Sequence, residues 1–427
     1  MEKFVIRGGV PLHGTVTPSG NKNAALPIMA ACLLTDEPVV LHNLPDITDT
    51  RTMIQLIESL GVSVRRIGES SSYEFHADKV YPSELDPDLC RKIRASILLA
   101  GPMLARAGTI TLPPPGGDVI GRRRVDTHIL ALTKLGAQMR MNDSFHFTAP
   151  HLTGADILLD EASVTATENT IMAAVRAKGV TILRNAASEP HIQELCRMLN
   201  LLGAEIKNIG SNTLEIHGVD KLHGGEFTIG PDYLEVISFV GAAIVTKGEI
   251  RIKDAGVEHL GMIQLVFKRL GVDFDFVGND ILVGDNQRLV IEPDLGNAIP
   301  EISVMPWPAF PTDLMSIAIV VATQSNGTIL FHDWMYPSRM FFTDKLVSMG
   351  AQIVLCDPHR CIVQGPTRLN AEKLDSPDIR AGIALVLAAL SANGSSTIRN
   401  ITQIERGYER IDLKLRDLGA DIIRAEG

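Results

Sequence analysis

The sequence predicts an α/β protein of two similar domains, each built from three copies of a repeat of about 70 residues. A short phrase, leucine or methionine followed by glycine and then alanine or valine, recurs six times. The copies are Leu60-Gly61-Val62, Leu135-Gly136-Ala137, Leu202-Gly203-Ala204, Leu270-Gly271-Val272, Met349-Gly350-Ala351 and Leu418-Gly419-Ala420. Successive glycines are 75, 67, 68, 79 and 69 residues apart. A length of 427 residues suits two domains better than one.

Each repeat predicts the same elements in order: helix, strand, helix, strand, strand. An alanine-rich segment that is apolar on all sides comes first, which predicts a helix buried inside its domain. These segments are Ala24–Leu34, Arg94–Ala107, Thr170–Lys178, Leu234–Lys247, Leu314–Gln324 and Arg380–Ala392. A turn and a β-rich run follow at Glu37–Asn43, Gly108–Pro113, Gly179–Asn185, Gly248–Asp254, Gly327–Asp333 and Gly394–Asn400. The recurring glycine then ends the second helix, where a positive φ is needed, and two alternating strands complete the repeat.

The domain boundary is predicted between the third and fourth repeats, at the turn Ile229-Gly230-Pro231. Domain 1 is expected over residues 22–230, and domain 2 over residues 1–21 and 231–427. The N-terminal strand Phe4–Val16 precedes the first repeat and is expected to complete domain 2. Within domain 1, the glycine- and proline-rich loop 113–124, PPPGGDVIGRRR, predicts a mobile lid.

Composition excludes several classes of function. With 50 acidic against 40 basic residues and 5% aromatics, we expect no nucleic-acid partner. The chain starts without an apolar signal segment and has no apolar run near the ~20 residues that span a bilayer, so we expect a cytoplasmic protein and no membrane partner. Five scattered cysteines are expected to be reduced, and twelve histidines without metal-like spacing predict no metal and no cofactor.

Polar residues at the starts of the six apolar helices point to an anionic ligand. Helix N-termini attract anions through their N–H groups and dipole, and they are the candidates because no dinucleotide or P-loop motif occurs. Three arginines, Arg122, Arg123 and Arg124, add positive charge at the end of the lid loop. If the domains face each other, both sets of helix starts would converge on one cleft.

Several of these segments closely resemble the UDP-N-acetylglucosamine 1-carboxyvinyltransferase family of enolpyruvyl transferases. They are Ser19-Gly20-Asn21-Lys22-Asn23-Ala24-Ala25-Leu26-Pro27, Arg94-Ala95-Ser96, Pro115-Gly116-Gly117, Pro308-Ala309-Phe310-Pro311-Thr312-Asp313 and Arg406-Gly407-Tyr408-Glu409-Arg410. The resemblance covers essentially the whole chain. It implies an inside-out α/β barrel of two similar domains, a fold shared with the shikimate-pathway enolpyruvyl transferase. It also implies two small-molecule substrates, phosphoenolpyruvate and UDP-N-acetylglucosamine, joined by addition and elimination in the first committed step of peptidoglycan synthesis.

The resemblance also implies roles for individual residues. The catalytic group is Lys22, Asp118, Asp313 and Asp378, in which Asp313 is the base at the sugar hydroxyl and Asp118 the acid. Phosphoenolpyruvate would be bound by Lys22, Arg94, Arg123, Arg380 and Arg406, because guanidinium groups suit bidentate oxyanion contacts. The UDP-sugar would be bound by Asn23, Arg94, Arg123, Ser163, Val164, Thr165, Glu189, Asp313, Met335 and Arg339.

Some positions depart from the common family pattern. Asp118 stands where most members carry cysteine, and its acid role requires protonation, which substrate anions and lid closure would favour by raising its pKa. We therefore expect resistance to fosfomycin, which alkylates that cysteine. The altered positions around the nucleotide sugar are Glu161, Thr165, Arg124, Tyr233, Trp307, Pro337 and Gln403. They leave two alternatives open: an enolpyruvyl transferase for another nucleotide sugar, or a non-catalytic paralogue that binds a nucleotide sugar.

Overall fold

A computed structural model describes residues 2–117 and 124–426 of the chain. These residues divide into two compact units. The first unit comprises residues 20–117 and 124–230, and the second unit comprises residues 2–19 and 231–426. The division therefore falls two residues earlier than the expected start at residue 22.

Backbone hydrogen bonds explain the position of that division. The Asn21 N–H donates to the carbonyl of Gly230 at 2.8 Å, inside the first unit. The Asp232 N–H donates to the carbonyl of Ser19, also at 2.8 Å, inside the second unit. The chain therefore passes from the second unit to the first between Ser19 and Gly20. It returns to the second unit after Gly230.

The regular elements follow the predicted order, except that a short extra helix precedes the second repeat and a single strand ends the sixth. The strands are β1 (Glu2–Arg7), β2 (His13–Val16), β3 (Val39–His42), β4 (Ser63–Arg66), β5 (Tyr73–His76), β6 (Thr109–Leu112), β7 (Gln138–Met141), β8 (Phe145–Thr148), β9 (Asp156–Leu158), β10 (Val180–Arg184), β11 (Glu205–Lys207), β12 (Thr213–His217), β13 (Gly225–Thr228), β14 (Glu249–Ile252), β15 (Asp275–Val277), β16 (Asp280–Val283), β17 (Glu301–Ser303), β18 (Gly327–His332), β19 (Gln352–Asp357), β20 (Arg360–Gly365), β21 (Lys373–Asp375), β22 (Ser395–Arg399) and β23 (Asp421–Glu426). The α-helices are α1 (Lys22–Ala31), α2 (Thr48–Ser59), α3 (Pro87–Lys92), α4 (Ala100–Ala107), α5 (Asp126–Lys134), α6 (Val164–Ala174), α7 (Pro190–Leu201), α8 (Tyr233–Thr246), α9 (Gly261–Arg269), α10 (Met315–Ala322), α11 (Thr343–Ser348), α12 (Ile379–Ser391) and α13 (Ile411–Asp417).

The strands of the described residues form six small sheets, five of them mixed and one, β6-β8-β7, antiparallel. In the first unit their strand orders are β13-β3-β5-β4, β6-β8-β7 and β11-β12-β10-β9. In the second unit they are β15-β16-β14-β2, β17-β18-β20-β19 and β21-β22-β1-β23. The predicted repeat accounts for the antiparallel strands, but it lacks the short parallel strand that borders five of the sheets (β13, β9, β2, β17 and β21). These strands are only three or four residues long, too short to show a periodic pattern.

The N-terminal segment forms two strands rather than the single strand predicted over Phe4–Val16. Strand β1 lies between β22 and β23, antiparallel to both, and β2 pairs in parallel with β14, in a different sheet. The turn between them uses Gly9 at φ +79° and Gly8, whose Cβ position lies 2.2 Å from the carbonyl oxygen of Ala392. Glycine is required at both positions, at the first for its backbone angle and at the second for space. Both strands nevertheless pair with elements of the second unit.

The six apolar segments form helices as predicted, and α8, α10 and α12 are buried on every side. Two segments differ most from the prediction. The helix predicted over Thr170–Lys178 spans Val164–Ala174, because most polar residues of its first two turns are also buried and so hid its start. The segment predicted as one helix over Arg94–Ala107 is a 3-10 helix, Arg94–Leu99, followed by α4.

The Asn169 side chain explains that break. Its amide nitrogen donates to the Ile97 carbonyl at 2.7 Å, and its amide oxygen accepts from the Gly101 N–H at 2.7 Å. These two backbone groups would bond each other in a continuous α-helix, so the side chain of Asn169 is inserted into the hydrogen-bond ladder.

Among the helices of the described residues, none combines the length and the apolar composition needed to cross a membrane.

Candidate active site

Lys22 is the first residue of α1 and is held in a buried ion pair. Asn21 caps the helix, its side-chain oxygen accepting from the N–H groups of Asn23 at 2.8 Å and Ala24 at 3.2 Å. The Lys22 ammonium lies 2.7 Å from a carboxylate oxygen of Asp49, and the two side chains are 9% and 5% exposed. The pair fixes the position of the Lys22 charge at the start of the helix. Asp49 was not identified from the sequence.

Arg94 lies at the start of the 3-10 helix that precedes α4, next to the start of α5. Its guanidinium donates to the backbone carbonyl of Arg124 at 2.8 Å. The side chain of Arg124, one of the positions that depart from the family pattern, forms ion pairs with Asp160 at 2.8 Å and Asp126 at 3.3 Å. The Thr127 hydroxyl also donates to Asp160, at 2.8 Å. Arg94 and Arg124 are therefore brought beside the turn that leads into α6.

Ser163, Val164 and Thr165, which are predicted to contact the nucleotide sugar, form the start of α6. The Ser163 hydroxyl caps the helix by accepting from the Ala166 N–H at 3.4 Å. The Thr165 hydroxyl lies 3.0 Å from Nε2 of His128, a buried residue of α5. Burial and the positive charge of Arg94 lower the pKa of His128 to about 3, so its ring is neutral at pH 7. His128 could not be singled out from the sequence, because an isolated histidine in an apolar helix is usually a core residue.

Glu189 precedes α7 and is electrostatically coupled to a second carboxyl group. Glu168, on the second turn of α6, is 1% exposed, and the charge of Glu189 acts on it. Burial, with the Glu189 charge in addition, raises the pKa of Glu168 well above its usual value. Two acidic groups thus interact near the start of α6, and ionisation of Glu168 is opposed.

The structure describes the first part of the predicted lid loop, Pro113–Gly117. The N–H groups of Gly116 and Gly117 donate to the carbonyls of Cys90 and Arg91 at 3.0 and 3.3 Å. A Cβ on Gly116 would lie 1.7 Å from the Arg91 carbonyl oxygen, so this contact requires glycine. The predicted residues Asp118 and Arg123 lie outside the described residues.

In the second unit, Asp313 is held between two arginines. Its carboxylate oxygens accept from Arg339 at 2.8 Å and from Arg380 at 3.1 Å. Both arginine side chains are almost fully buried, at 3% and 6% exposure, whereas Asp313 is 27% exposed. Three residues far apart in the sequence therefore converge, and the carboxylate is the member of the group that solvent reaches most easily.

Asp378 caps α12, and Arg380 of the same turn lies against Tyr408. The Asp378 carboxylate accepts from the backbone N–H groups of Arg380 at 2.8 Å and Ala381 at 2.9 Å. The Arg380 guanidinium is 5.9 Å from the centre of the Tyr408 ring, whose hydroxyl lies 2.9 Å from that of Ser238. Burial raises the pKa of Tyr408 to about 12, so it is a neutral neighbour for the guanidinium.

Of the remaining predicted residues of this unit, Met335 lies on a loop and Arg406 ends the 3-10 helix Ile401–Arg406. Arg406 donates to the side chain of Gln403 at 3.2 Å, and Gln403 is one of the altered positions. Met335 follows the buried Asp333, whose carboxylate accepts from the Met335 N–H at 3.0 Å. Asp333 also accepts from the Thr312 hydroxyl, and burial raises its pKa. Asp333 thus connects the loop of Met335 and Arg339 with the residue that precedes Asp313, a role with no signal in the sequence.

Two further altered positions contact each other. The rings of Tyr233 and Trp307 are 6.1 Å apart, and the ring of His259 lies 6.3 Å from that of Trp307. Tyr233 is buried at the start of α8. The two altered positions are thus joined by an aromatic contact. These departures therefore form a packed group.

The chain is similar, in sequence and in structure, to enzymes named as carboxyvinyl or enolpyruvyl transferases. The family model described as EPSP synthase (3-phosphoshikimate 1-carboxyvinyltransferase) matches residues 6–415. The chain is 56% identical to the UDP-N-acetylglucosamine 1-carboxyvinyltransferase of Bradyrhizobium diazoefficiens, over 99% of this chain and 98% of that one. It is 53% identical to the enzyme of the same name from Treponema denticola, over 99% of both chains.

Solved structures extend the comparison. The enolpyruvyl transferase NikO from Streptomyces tendae matches with a TM-score of 0.88 and 25% identity, covering 100% of this chain and 99% of that one. An EPSP synthase from Acinetobacter baumannii matches with a TM-score of 0.77 over all of both chains, and its 17% identity shows a common α/β fold alone.

Proposed function

The chain belongs to the family of UDP-N-acetylglucosamine 1-carboxyvinyltransferases, and on that basis we propose that it is an enzyme of the same activity. It transfers the enolpyruvyl group of phosphoenolpyruvate to the 3′-hydroxyl of UDP-N-acetylglucosamine and releases phosphate, the first committed step of peptidoglycan synthesis. The observation that carries the proposal is identity of 56% and 53% over nearly the full length of two relatives of that name.

The proposed reaction is an addition followed by an elimination. A proton is added to the methylene carbon of phosphoenolpyruvate, and the sugar hydroxyl attacks C2 as it loses its own proton. The C2–O bond to phosphate then breaks, and a proton leaves the methyl carbon, which restores the double bond. The sequence of steps requires an acid, a base and cations that stabilise the phosphate and carboxylate charges.

We propose that Asp313 is the base. Arg339 and Arg380 fix both of its carboxylate oxygens in place, so its direction is set before substrate binds. Arg380 and Arg406 of the same unit would bind the phosphate or carboxylate of phosphoenolpyruvate. Met335 and Arg339 would contact the UDP-sugar. Asp378, which caps the helix of Arg380, would assist proton transfer.

From the first unit, Lys22 and Arg94 would supply positive charge to phosphoenolpyruvate, together with Arg123. The UDP-sugar contacts would come from Asn23, Arg94, Arg123, Ser163, Val164, Thr165 and Glu189. The buried Lys22–Asp49 pair supports the assignment of Lys22, because it holds the ammonium group at the start of α1 at a defined position.

Asp118 would donate the proton to the methylene carbon, and its carboxyl group gives fosfomycin no thiol to alkylate. Activity is therefore expected to persist after incubation with fosfomycin, whereas Asp118→Cys should become sensitive. Rapid covalent inactivation of the unaltered protein would contradict the role given to Asp118.

We also propose the finer features that the resemblance implies. The sheets of each unit would surround its buried helices as an inside-out α/β barrel, with the two units as its two domains. A cytoplasmic location and a part in cell shape and division would follow from peptidoglycan synthesis. Full burial of α8, α10 and α12 supports the arrangement of helices inside and sheets outside.

The test is phosphate release from phosphoenolpyruvate by the purified protein, with UDP-N-acetylglucosamine as acceptor and without acceptor as the blank. Acceptor-dependent release is expected, and Asp313→Asn should reduce it at least 100-fold. Asp375→Asn is the matched control, since Asp375 pairs with Arg399 at 2.7 Å on the exposed surface of the same unit. Saturable binding of phosphoenolpyruvate without release would instead favour another nucleotide-sugar acceptor, and no binding would favour a non-catalytic paralogue.

A further inference from the structure

The orientation of the Asn169 side-chain amide is determined by two backbone groups. The Gly101 N–H can only donate, so the atom 2.7 Å from it is the amide oxygen. The Ile97 carbonyl can only accept, so the atom 2.7 Å from it is the amide nitrogen. Asn169 is fully buried, and these two bonds leave one amide hydrogen to donate elsewhere.

That hydrogen fixes the tautomer of His128. The Asn169 amide nitrogen lies 3.0 Å from Nδ1 of His128, and an amide nitrogen can only donate. Nδ1 must therefore accept and carry no hydrogen. In the neutral ring the hydrogen is then on Nε2, the atom 3.0 Å from the Thr165 hydroxyl oxygen. The nearby charge of Arg94 and the burial of the ring both oppose a second proton.

The tautomer of His128 sets the direction of its hydrogen bond with the Thr165 hydroxyl. Since Nε2 of His128 donates, the Thr165 oxygen accepts, and the hydrogen of the Thr165 hydroxyl is left to point away from the ring. Thr165 is half-buried at the second position of α6, beside Ser163. Among the described residues, the contact with His128 is the one hydrogen bond that this hydroxyl makes. A threonine within a helix commonly donates to its own backbone, as Thr170 does to the Ala166 carbonyl at 2.7 Å.

We propose that His128 and Asn169 are positioning residues that make the Thr165 hydroxyl a directed donor to a phosphate oxygen of the bound nucleotide sugar. This inference rests on the proposed function. His128 is 1% exposed and acts only through Thr165.

The experiment compares five variants by calorimetric binding of UDP-N-acetylglucosamine and of UDP, and by the KM and kcat of phosphate release. Thr165→Val removes the hydroxyl but keeps the shape, and it should weaken binding about 10- to 100-fold, as for loss of a hydrogen bond to a charged group. The kcat should change less than threefold, because a contact to a distant phosphate is made equally in ground and transition states. Thr165→Ser retains the hydroxyl and should recover most of the binding that Thr165→Val loses.

The remaining variants separate positioning from packing. His128→Leu should raise the KM for the nucleotide sugar about tenfold, whereas His128→Gln, which retains an N–H donor near the Nε2 position, should recover most of that loss. Thr170→Val is the control, because it removes a threonine hydroxyl from the same helix that bonds only to the backbone of that helix. Independently, ¹⁵N spectra of the histidine rings should show His128 with hydrogen on Nε2 and none on Nδ1 at pH 7.

Each outcome decides a separate question. If the unaltered protein neither binds nor turns over UDP-N-acetylglucosamine, the proposed function fails, and this inference fails with it. If the protein is active but Thr165→Val binds both ligands as tightly as the unaltered protein, the proposed function stands and the inference is wrong. A ring of His128 with hydrogen on Nδ1 would also overturn it, whatever the activity.

Discussion

Burial of a neutral His128 predicts a specific loss of stability in mild acid. In the folded chain its pKa is about 3, against 6.5 for an ordinary histidine. Below pH 6.5 the unfolded chain takes up a proton at this residue while the folded chain does not. The stability that His128 contributes is therefore fully present above pH 6.5 and is lost as the pH falls toward 3.

The magnitude follows from those two values. Each pH unit below 6.5 costs about 1.4 kcal/mol of the free energy of unfolding, so lowering the pH from 7 to 5 should cost about 2 kcal/mol from this residue alone. Glutamine does not titrate, and so His128→Gln should lack this contribution. Other groups, including Glu168 on the neighbouring helix, titrate in both proteins and cancel in the comparison.

Urea unfolding at pH 7, 6 and 5, followed by far-ultraviolet circular dichroism, measures the effect. Between pH 7 and pH 5, the unaltered protein should lose about 2 kcal/mol more of its free energy of unfolding than His128→Gln loses. Both tryptophans, Trp307 and Trp334, lie in the second unit, and their fluorescence follows that unit separately. Equal pH dependence in the two proteins would show that His128 is protonated without penalty, and it would refute the reasoning about its tautomer as well.

Two further predictions concern the first unit. Asp49→Asn removes the carboxylate 2.7 Å from the buried Lys22 ammonium, and it should lower the free energy of unfolding, measured by urea titration, by about 3–5 kcal/mol. The control is Asp156→Asn, which breaks an exposed pair with an arginine and should cost no more than about 1 kcal/mol. Equal losses in the two variants would contradict the importance of burial. Gly218→Ala would place a Cβ 1.6 Å from the carbonyl oxygen of Ala177, and a thermal melt should show a loss of about 1–3 kcal/mol or more; an unchanged melting temperature would mean that this backbone contact yields easily.

The sequence by itself determined the repeated architecture. Six glycine phrases at nearly equal spacing, and six segments apolar on every side, were enough to predict the helices, because a fully buried helix needs apolar residues all around it. Motifs such as Ser19–Pro27 and Arg406–Arg410 were specific enough to indicate the family. Lys22, Asp313 and Arg380 could be named for the same reason, since each lies within a contiguous motif or at a recognisable helix start.

Only the tertiary structure decided which side chains act together. The short parallel strands, the pairing of β1 and β2 with two different sheets, and the insertion of Asn169 between Ile97 and Gly101 depend on contacts between residues far apart in the chain. Asp49 and His128 were missed because an aspartate and a histidine at such positions look like ordinary surface or core residues. Their roles follow from burial next to a specific partner, and burial of a polar group is tolerated only where the fold supplies that partner's hydrogen bond or charge.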